Sequence, residues 1–192
     1  MTVSTVSCEK KEKGNNDLMM ALLMLSGSKH LYVTGKTNND SSVSVPCCWK
    51  DGEMNDLPVL DSTRHGYVGQ ILKGGGSIYI VGYATNSSNV KVPCYWENGI
   101  RTEFTDIIDV TKSSEAGSIF VDGDDIYVAC YSINASKINV PCYWYNGIKP
   151  NLSVIETSQN GSANCITKSG DDLYLAGYSF NSPGVQVGQP GK

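Results

Sequence analysis

Residues Ile78 to Ile100, IYIVGYATNSSNVKVPCYWENGI, and Ile126 to Ile148, IYVACYSINASKINVPCYWYNGI, agree at 13 of 23 positions. Two landmarks inside them recur in step along the chain. The pairs Leu31-Tyr32, Ile78-Tyr79, Ile126-Tyr127 and Leu173-Tyr174 are spaced by 47, 48 and 47 residues. The phrase VPCCWKDG from Val45 returns as VPCYWENG from Val92 and VPCYWYNG from Val140. Two landmarks on one period define an internal repeat.

Each unit reads as four short strands. The first lies around Ile71-Leu72 or Ile119-Phe120-Val121 and ends in a tight turn, GGGS or DGDD; the second is IYIVGY, IYVACY or LYLAGY. A polar loop leads to VPCYW as third strand. Asp51-Gly52, Asn98-Gly99 and Asn146-Gly147 then supply the positive φ angles of a two-residue hairpin turn into the fourth. In the second strand Ile126, Val128 and Cys130 face one way and Tyr127, Ala129 and Tyr131 the other, so both faces are buried. Four-stranded antiparallel sheets apolar on both sides and repeated in series predict an all-β β-propeller with no helix.

The units span about 18–60, 61–108 and 109–155, with a partial fourth at 156–192, after a flexible tether at 1–17. The fourth is expected to stop after its second strand, because the tail GVQVGQPGK has no Tyr-Trp and no Asn-Gly. About three and a half blades are therefore expected. Such an array either closes into a tight ring, self-associates through its open ends or belongs to a larger ring.

Fifteen Lys and Arg against nineteen Asp and Glu give a net charge of −4, which offers no polycationic face for nucleic acid. The longest apolar run, Leu18 to Leu25, is eight residues, short of a transmembrane span. That run is read as a first strand, with Met24-Leu25 in register with Ile71-Leu72.

The phrases IYVACY and VPCYWYNG resemble kelch-like propeller repeats of bacterial surface and secreted proteins. The resemblance covers residues 18–187 and implies binding or scaffolding without catalytic residues. The chain departs from kelch in lacking a Gly-Gly pair at the end of the second strand, where it has Val81-Gly82, Ala129-Cys130 and Ala176-Gly177.

Seven cysteines leave at least one unpaired. Cys47, Cys94 and Cys142 share one repeat position beside Trp49, Trp96 and Trp144, so neighbouring copies are too far apart for disulfides. With Cys130 and Cys165 they are expected to be free thiols pointing into sheet packing, and the three Trp to be buried equivalently. Cys8 stands outside the repeat before a charged stretch. It resembles the lipid-bearing cysteine of a bacterial lipoprotein, although the seven residues before it lack a signal core; a plain tail is the other reading.

His30 and His65 fall in loops and do not recur, no CxxC occurs, and Asp124-Asp125 and Asp171-Asp172 sit where turns favour Asp. No metal site, cofactor or catalytic group is expected, and the chain reads as no enzyme. One surface feature does repeat: an aromatic and an Asn three residues later, at Tyr83 and Asn86, Tyr131 and Asn134, and Tyr178 and Asn181. Loops leaving the second strands gather on one face of a propeller. These residues are candidate platforms and hydrogen-bonding groups for sugars or polar peptides, resembling tachylectin-type propellers with one sugar site per blade. The alternative is a Tyr between sheets and an Asn holding its turn. The expected function is a binding or scaffold propeller for protein or carbohydrate partners outside the cytoplasm; the alternative is the ligand-binding part of a larger enzyme.

Overall fold

Asp51, Asn98 and Asn146 take φ angles of 54°, 49° and 47°, and the glycine after each takes 89°, 85° and 87°. Both positions of these two-residue turns are left-handed, which matches the twist of the strands they join. The first residue of each pair also ties two strands together. Its side-chain oxygen accepts a hydrogen bond from the backbone N–H of Leu31 (2.9 Å), Ile78 (3.0 Å) or Ile126 (2.9 Å), the start of the neighbouring strand.

The computed structural model describes residues 21–24, 30–104, 109, 111–154, 156–181 and 186–190. The tether at 1–17, Cys8 and residues 18–20 lie outside them. Strands β1 (Ala21–Met24), β2 (Leu31–Asn38), β3 (Ser44–Lys50) and β4 (Glu53–Asp56) form one antiparallel sheet in sequential order. A second is built from β5 (Gly66–Gly74), β6 (Ser77–Thr85), β7 (Lys91–Glu97) and β8 (Ile100–Glu103). The third holds β9 (Ser114–Asp122), β10 (Asp125–Ile133) and β11 (Asn139–Tyr145); isolated bridges from Cys142 to Asn151 and from Tyr145 to Ile148 stand in place of its fourth strand. The fourth sheet holds β12 (Gly161–Ser169), β13 (Asp172–Phe180) and β14 (Gln186–Pro190). No helix occurs among the described residues.

Strand β14 corrects the expectation that the fourth unit stops after two strands. It pairs with β13 so that Tyr178 faces Gly188, the ladder position at which Lys36 faces Pro46, Tyr83 faces Pro93 and Tyr131 faces Pro141. Val187 thus takes the place of Val45, Val92 and Val140. Glycine at the proline position hid the strand, because that landmark was lost while the backbone pairing was kept. A second correction concerns β1. Leu22 faces Val33 as Ile71 faces Ile80, so Leu22-Leu23, rather than Met24-Leu25, match Ile71-Leu72. Two more residues separate Met24 from Leu31 than separate Lys73 from Ile78, which accounts for the two-residue slip.

Each sheet packs on the next, and the first strands β1, β5, β9 and β12 lie side by side. Each of the last three carries a bulge, at Gly69, Gly117 and Asn164. A Cβ on Gly69 would lie 2.7 Å from the Gly117 carbonyl oxygen, so glycine lets β5 and β9 approach. Beside the bulges the Gln70 side chain accepts from the N–H of Ile119 (2.8 Å) and the Ser118 hydroxyl from that of Ile166 (3.2 Å), linking consecutive inner strands.

The cores lie between sheets. Trp96 packs with Leu57, Ile71 and Ile80 between the first and second; Trp144 packs with Tyr79, Val81 and Ile119 between the second and third. The segments after β4 and β8 cover the Trp of the following sheet, and the backbone bond that anchors them recurs after the third sheet. Leu57, Phe104 and Leu152 donate their backbone N–H groups to the carbonyls of Pro46, Pro93 and Pro141, at 2.9, 3.0 and 3.0 Å. Phe104 then stacks on Trp144 at 4.4 Å, and the Trp96 indole N–H reaches the Pro58 carbonyl at 2.9 Å. Trp49 departs from the expected equivalence: it is half-buried, whereas Trp96 and Trp144 are 0% and 1% exposed. No described segment precedes the first sheet to lie over it. At the other end Tyr174 is 43% exposed where Tyr79 is 7%, and Ala176 is exposed where Val81 and Ala129 are buried. The outer face of the fourth sheet is uncovered.

Cys47, Cys48, Cys94, Cys130, Cys142 and Cys165 are free thiols. Cys165 does not point into packing as expected; it is exposed on the uncovered fourth sheet. Burial pushes the Cys47 thiol up to about 12, with the Asp56 carboxylate adding to the shift, and burial likewise raises Cys94 to about 12. Thiolates are the reactive form. In native protein treated with iodoacetamide at pH 8, Cys165 should be alkylated while Cys47, Cys94, Cys130 and Cys142 stay unmodified until the chain is unfolded. Peptide mapping by mass spectrometry reads the result, and native-state labelling of Cys94 would contradict this packing.

Candidate functional site at the loop end of the sheets

The second strand of each sheet ends beside the first strand of the next, and side chains from both meet there. Lys36, Tyr83, Tyr131 and Tyr178 hold the same ladder position in β2, β6, β10 and β13. The facing first-strand position carries Tyr67, Glu115 and Ser162, which pair with Tyr83, Tyr131 and Tyr178. A third position, at or beside the start of the third strands, carries Ser44, Lys91 and Asn139. The backbone N–H of each donates to a residue just before the following sheet: to His65 Nδ1 (3.0 Å), Ser113 Oγ (3.1 Å) and Asn160 Oδ1 (2.8 Å). His65 is exposed in its loop, and this bond ties it to the start of β3.

These positions converge between the second and third sheets. Tyr67 and Tyr83 stack at 5.6 Å with rings inclined by 22°. The Lys91 ammonium lies 4.8 Å from the centre of the Tyr83 ring and pairs with Glu115 at 2.5 Å. The Tyr131 hydroxyl donates to the same carboxylate, and Tyr83 and Tyr178 lie near enough to act on its phenol. Burial, then that hydrogen bond, push Tyr131 far above the ordinary phenol value. Tyr67 and Tyr83 are raised chiefly by burial, Tyr83 with an opposing pull from Lys91. Burial alone would lower Lys91; the hydrogen bond and charge of Glu115 outweigh it and hold the ammonium above its usual value. The cluster combines half-buried aromatic faces with one cation and one anion held in fixed register.

A cleft of about 390 Å³ opens on Tyr67, Tyr83 and Lys91, and a second of about 280 Å³ opens on Tyr67, Glu115 and Tyr131. Of the residues singled out from sequence, Tyr83 and Tyr131 line these clefts. Tyr178 lies close to Tyr131 and edge-on to Phe180 at 5.3 Å. The asparagines sit apart in their loops. Asn86 Oδ1 accepts the N–H groups of Ser88 and Val90, both at 3.0 Å, and Asn134 Oδ1 accepts that of Ile138 at 3.0 Å, so these oxygens hold turns. Asn181 directly follows β13. Lys91 and Glu115 do not stand out in the sequence because they break the repeat: their equivalent positions carry Ser, Lys, Asn and Tyr, Glu, Ser. No group of three or more His, Cys, Asp or Glu among the described residues is arranged to hold a metal ion.

No protein-family model matches the sequence, and no curated protein does. Among solved structures the chain is similar to a fucose lectin from Kordia zhangzhouensis in complex with methyl-fucoside, at 16% identity and a TM-score of 0.50, over 69% of this chain and 97% of that one. It is also similar to a thermostable family-43 glycoside hydrolase, at 9% identity and a TM-score of 0.51, over 85% of this chain and 66% of that one. Both are propeller-type folds, and the present chain shares that fold. The expectation that the chain is no enzyme is corrected here. The hydrolase shows the same arrangement of sheets serving catalysis, so repeat architecture does not separate binding modules from enzymes.

Proposed function

We propose that this chain binds carbohydrate at its sheet junctions, through Tyr67, Tyr83, Lys91, Glu115 and Tyr131. The four sheets are read as consecutive blades of a 47–48-residue repeat, and each junction presents the same positions with different side chains. The observation that carries the reading is the Tyr67–Tyr83 stack beside the Lys91–Glu115 pair. Rings present the flat apolar surface that a pyranose face needs, while the ammonium and carboxylate offer a donor and an acceptor for hydroxyls. A few placed polar groups beside aromatic side chains in a cleft are a usual form of a small-ligand site. Tyr178, with Asn181 following its strand, continues this surface along the same loop end, while Asn86 and Asn134 hold their loop turns. A saccharide-binding part of a larger carbohydrate-active enzyme would use the same residues.

Saturation-transfer NMR against a panel of neutral and acidic methyl glycosides, followed by calorimetry on the best binder, tests the reading. Glu115→Gln should weaken binding about tenfold or more, the loss expected when a charged hydrogen-bonding group is removed from its partner. Absence of binding by the wild-type chain to every sugar at millimolar concentration would overturn it.

A further inference from the structure

The cleft between the first and second sheets is unlike its neighbours in charge. Its lining includes Lys36, Lys91 and His65 and no carboxylate. Three other clefts, of about 380, 280 and 400 Å³, each include Asp56 or Glu115. Lys91 is neutralised at the far edge by Glu115, 2.5 Å away. Lys36 enters no ion pair among the described residues and replaces the tyrosine found at its ladder position in the other three sheets. His65 adds a donor of fixed sense. Its Nδ1 accepts the Ser44 N–H at 3.0 Å, so the proton of the neutral ring sits on Nε2. Beside these groups lie the rings of Tyr67 and Tyr83, stacked on each other and both part of the lining.

From this placement we infer that the cleft between the first and second sheets takes an acidic saccharide, its anionic group held by Lys36 and the His65 Nε2–H and its ring seated against Tyr67 and Tyr83. The inference rests on the carbohydrate reading above and narrows it to a ligand class. A bare anion would use the cation and leave the aromatic surface idle. A neutral sugar would use the aromatic surface and leave the Lys36 ammonium without a counterpart. An acidic sugar engages both. The other junctions lack the combination: Lys91 at the second is already paired, and Asn139, Asn160 and Ser162 at the third are uncharged.

The test measures calorimetric affinity of the full chain for methyl glucuronide and methyl galacturonide, each against its neutral counterpart, methyl glucoside and methyl galactoside, at low ionic strength. At least one uronide should bind about tenfold tighter than its neutral partner, as a charge-assisted hydrogen bond provides. That ratio should fall towards one in Lys36→Gln and as salt is raised. Equal affinity for both members of both pairs would overturn this inference and leave the carbohydrate reading standing. Failure of all four sugars to bind would overturn this inference, while sugars outside the set would still decide the broader reading. Sodium sulfate competing as strongly as the uronide would reveal a site for bare anions and overturn it too. Lys36 is a partly exposed side chain, and a circular-dichroism melt of Lys36→Gln matching the wild type would assign the loss to the cleft.

Discussion

Trp96→Ala should lower the free energy of unfolding by about 3–5 kcal/mol, the range for removing a fully buried aromatic side chain. The indole is enclosed between the first two sheets, with its N–H on the Pro58 carbonyl. Truncation therefore opens a cavity and removes the indole hydrogen bond at once. Trp49→Ala should produce a visibly smaller loss, because Trp49 is already half-exposed. Urea unfolding of both variants makes the comparison, with an unchanged slope required so that the midpoints report stability. Equal losses at the two positions would mean that Trp49 is covered as well as Trp96 is.

Gly82→Ala is expected to destabilise by on the order of 3 kcal/mol, at the upper end of overpacking effects. The residue sits beside the bulge in β5, and a Cβ there would run into the backbone carbonyl oxygen of Tyr67. Backbone cannot swing aside as a flexible side chain does. Gly177 meets the Ser162 carbonyl in the same way, so Gly177→Ala should behave alike. At the equivalent place in the third sheet stands Cys130, opposite Ala116 in β9. Cys130→Gly is thus tolerated sterically but removes a buried thiol from the core. Thermal melts of the three variants check the pattern, and a neutral Gly82→Ala would show that the bulge can relax.

Much of this fold was legible in the sequence because its determinants are local. An Asn-Gly turn needs two residues, and a strand buried on both faces declares itself in six. What stayed hidden depended on landmarks that were missing or on partners that were distant. Strand β14 kept its ladder but lost the proline that marks its counterparts. The register of β1 depended on a turn two residues longer than the others. Trp49 looked equivalent to Trp96 and Trp144, since sequence shows a residue's place in its own strand and not what lies over it. The site was the least legible part. Tyr83 and Tyr131 could be picked out by repetition, yet the groups that give them chemical character, Lys91 and Glu115, are 24 residues apart on different sheets. They do not repeat, and only the packing of one sheet on the next brings them together.

The ties between sheets carry a kinetic consequence. The Gln70 to Ile119 and Ser118 to Ile166 bonds span 49 and 48 residues, and the turn residues Asn98 and Asn146 reach back only 20. Every such link closes a loop within one unit or joins a unit to its immediate successor. Ordering one sheet therefore requires no contact with a remote part of the chain, and the entropy of closing loops is lost in small, similar steps. Folding can begin at whichever sheet first forms and spread outward by adding neighbours, as in a linear chain of coupled elements. During synthesis the early sheets can gain their structure while the later ones are still being made, each newly finished sheet docking on a surface already in place.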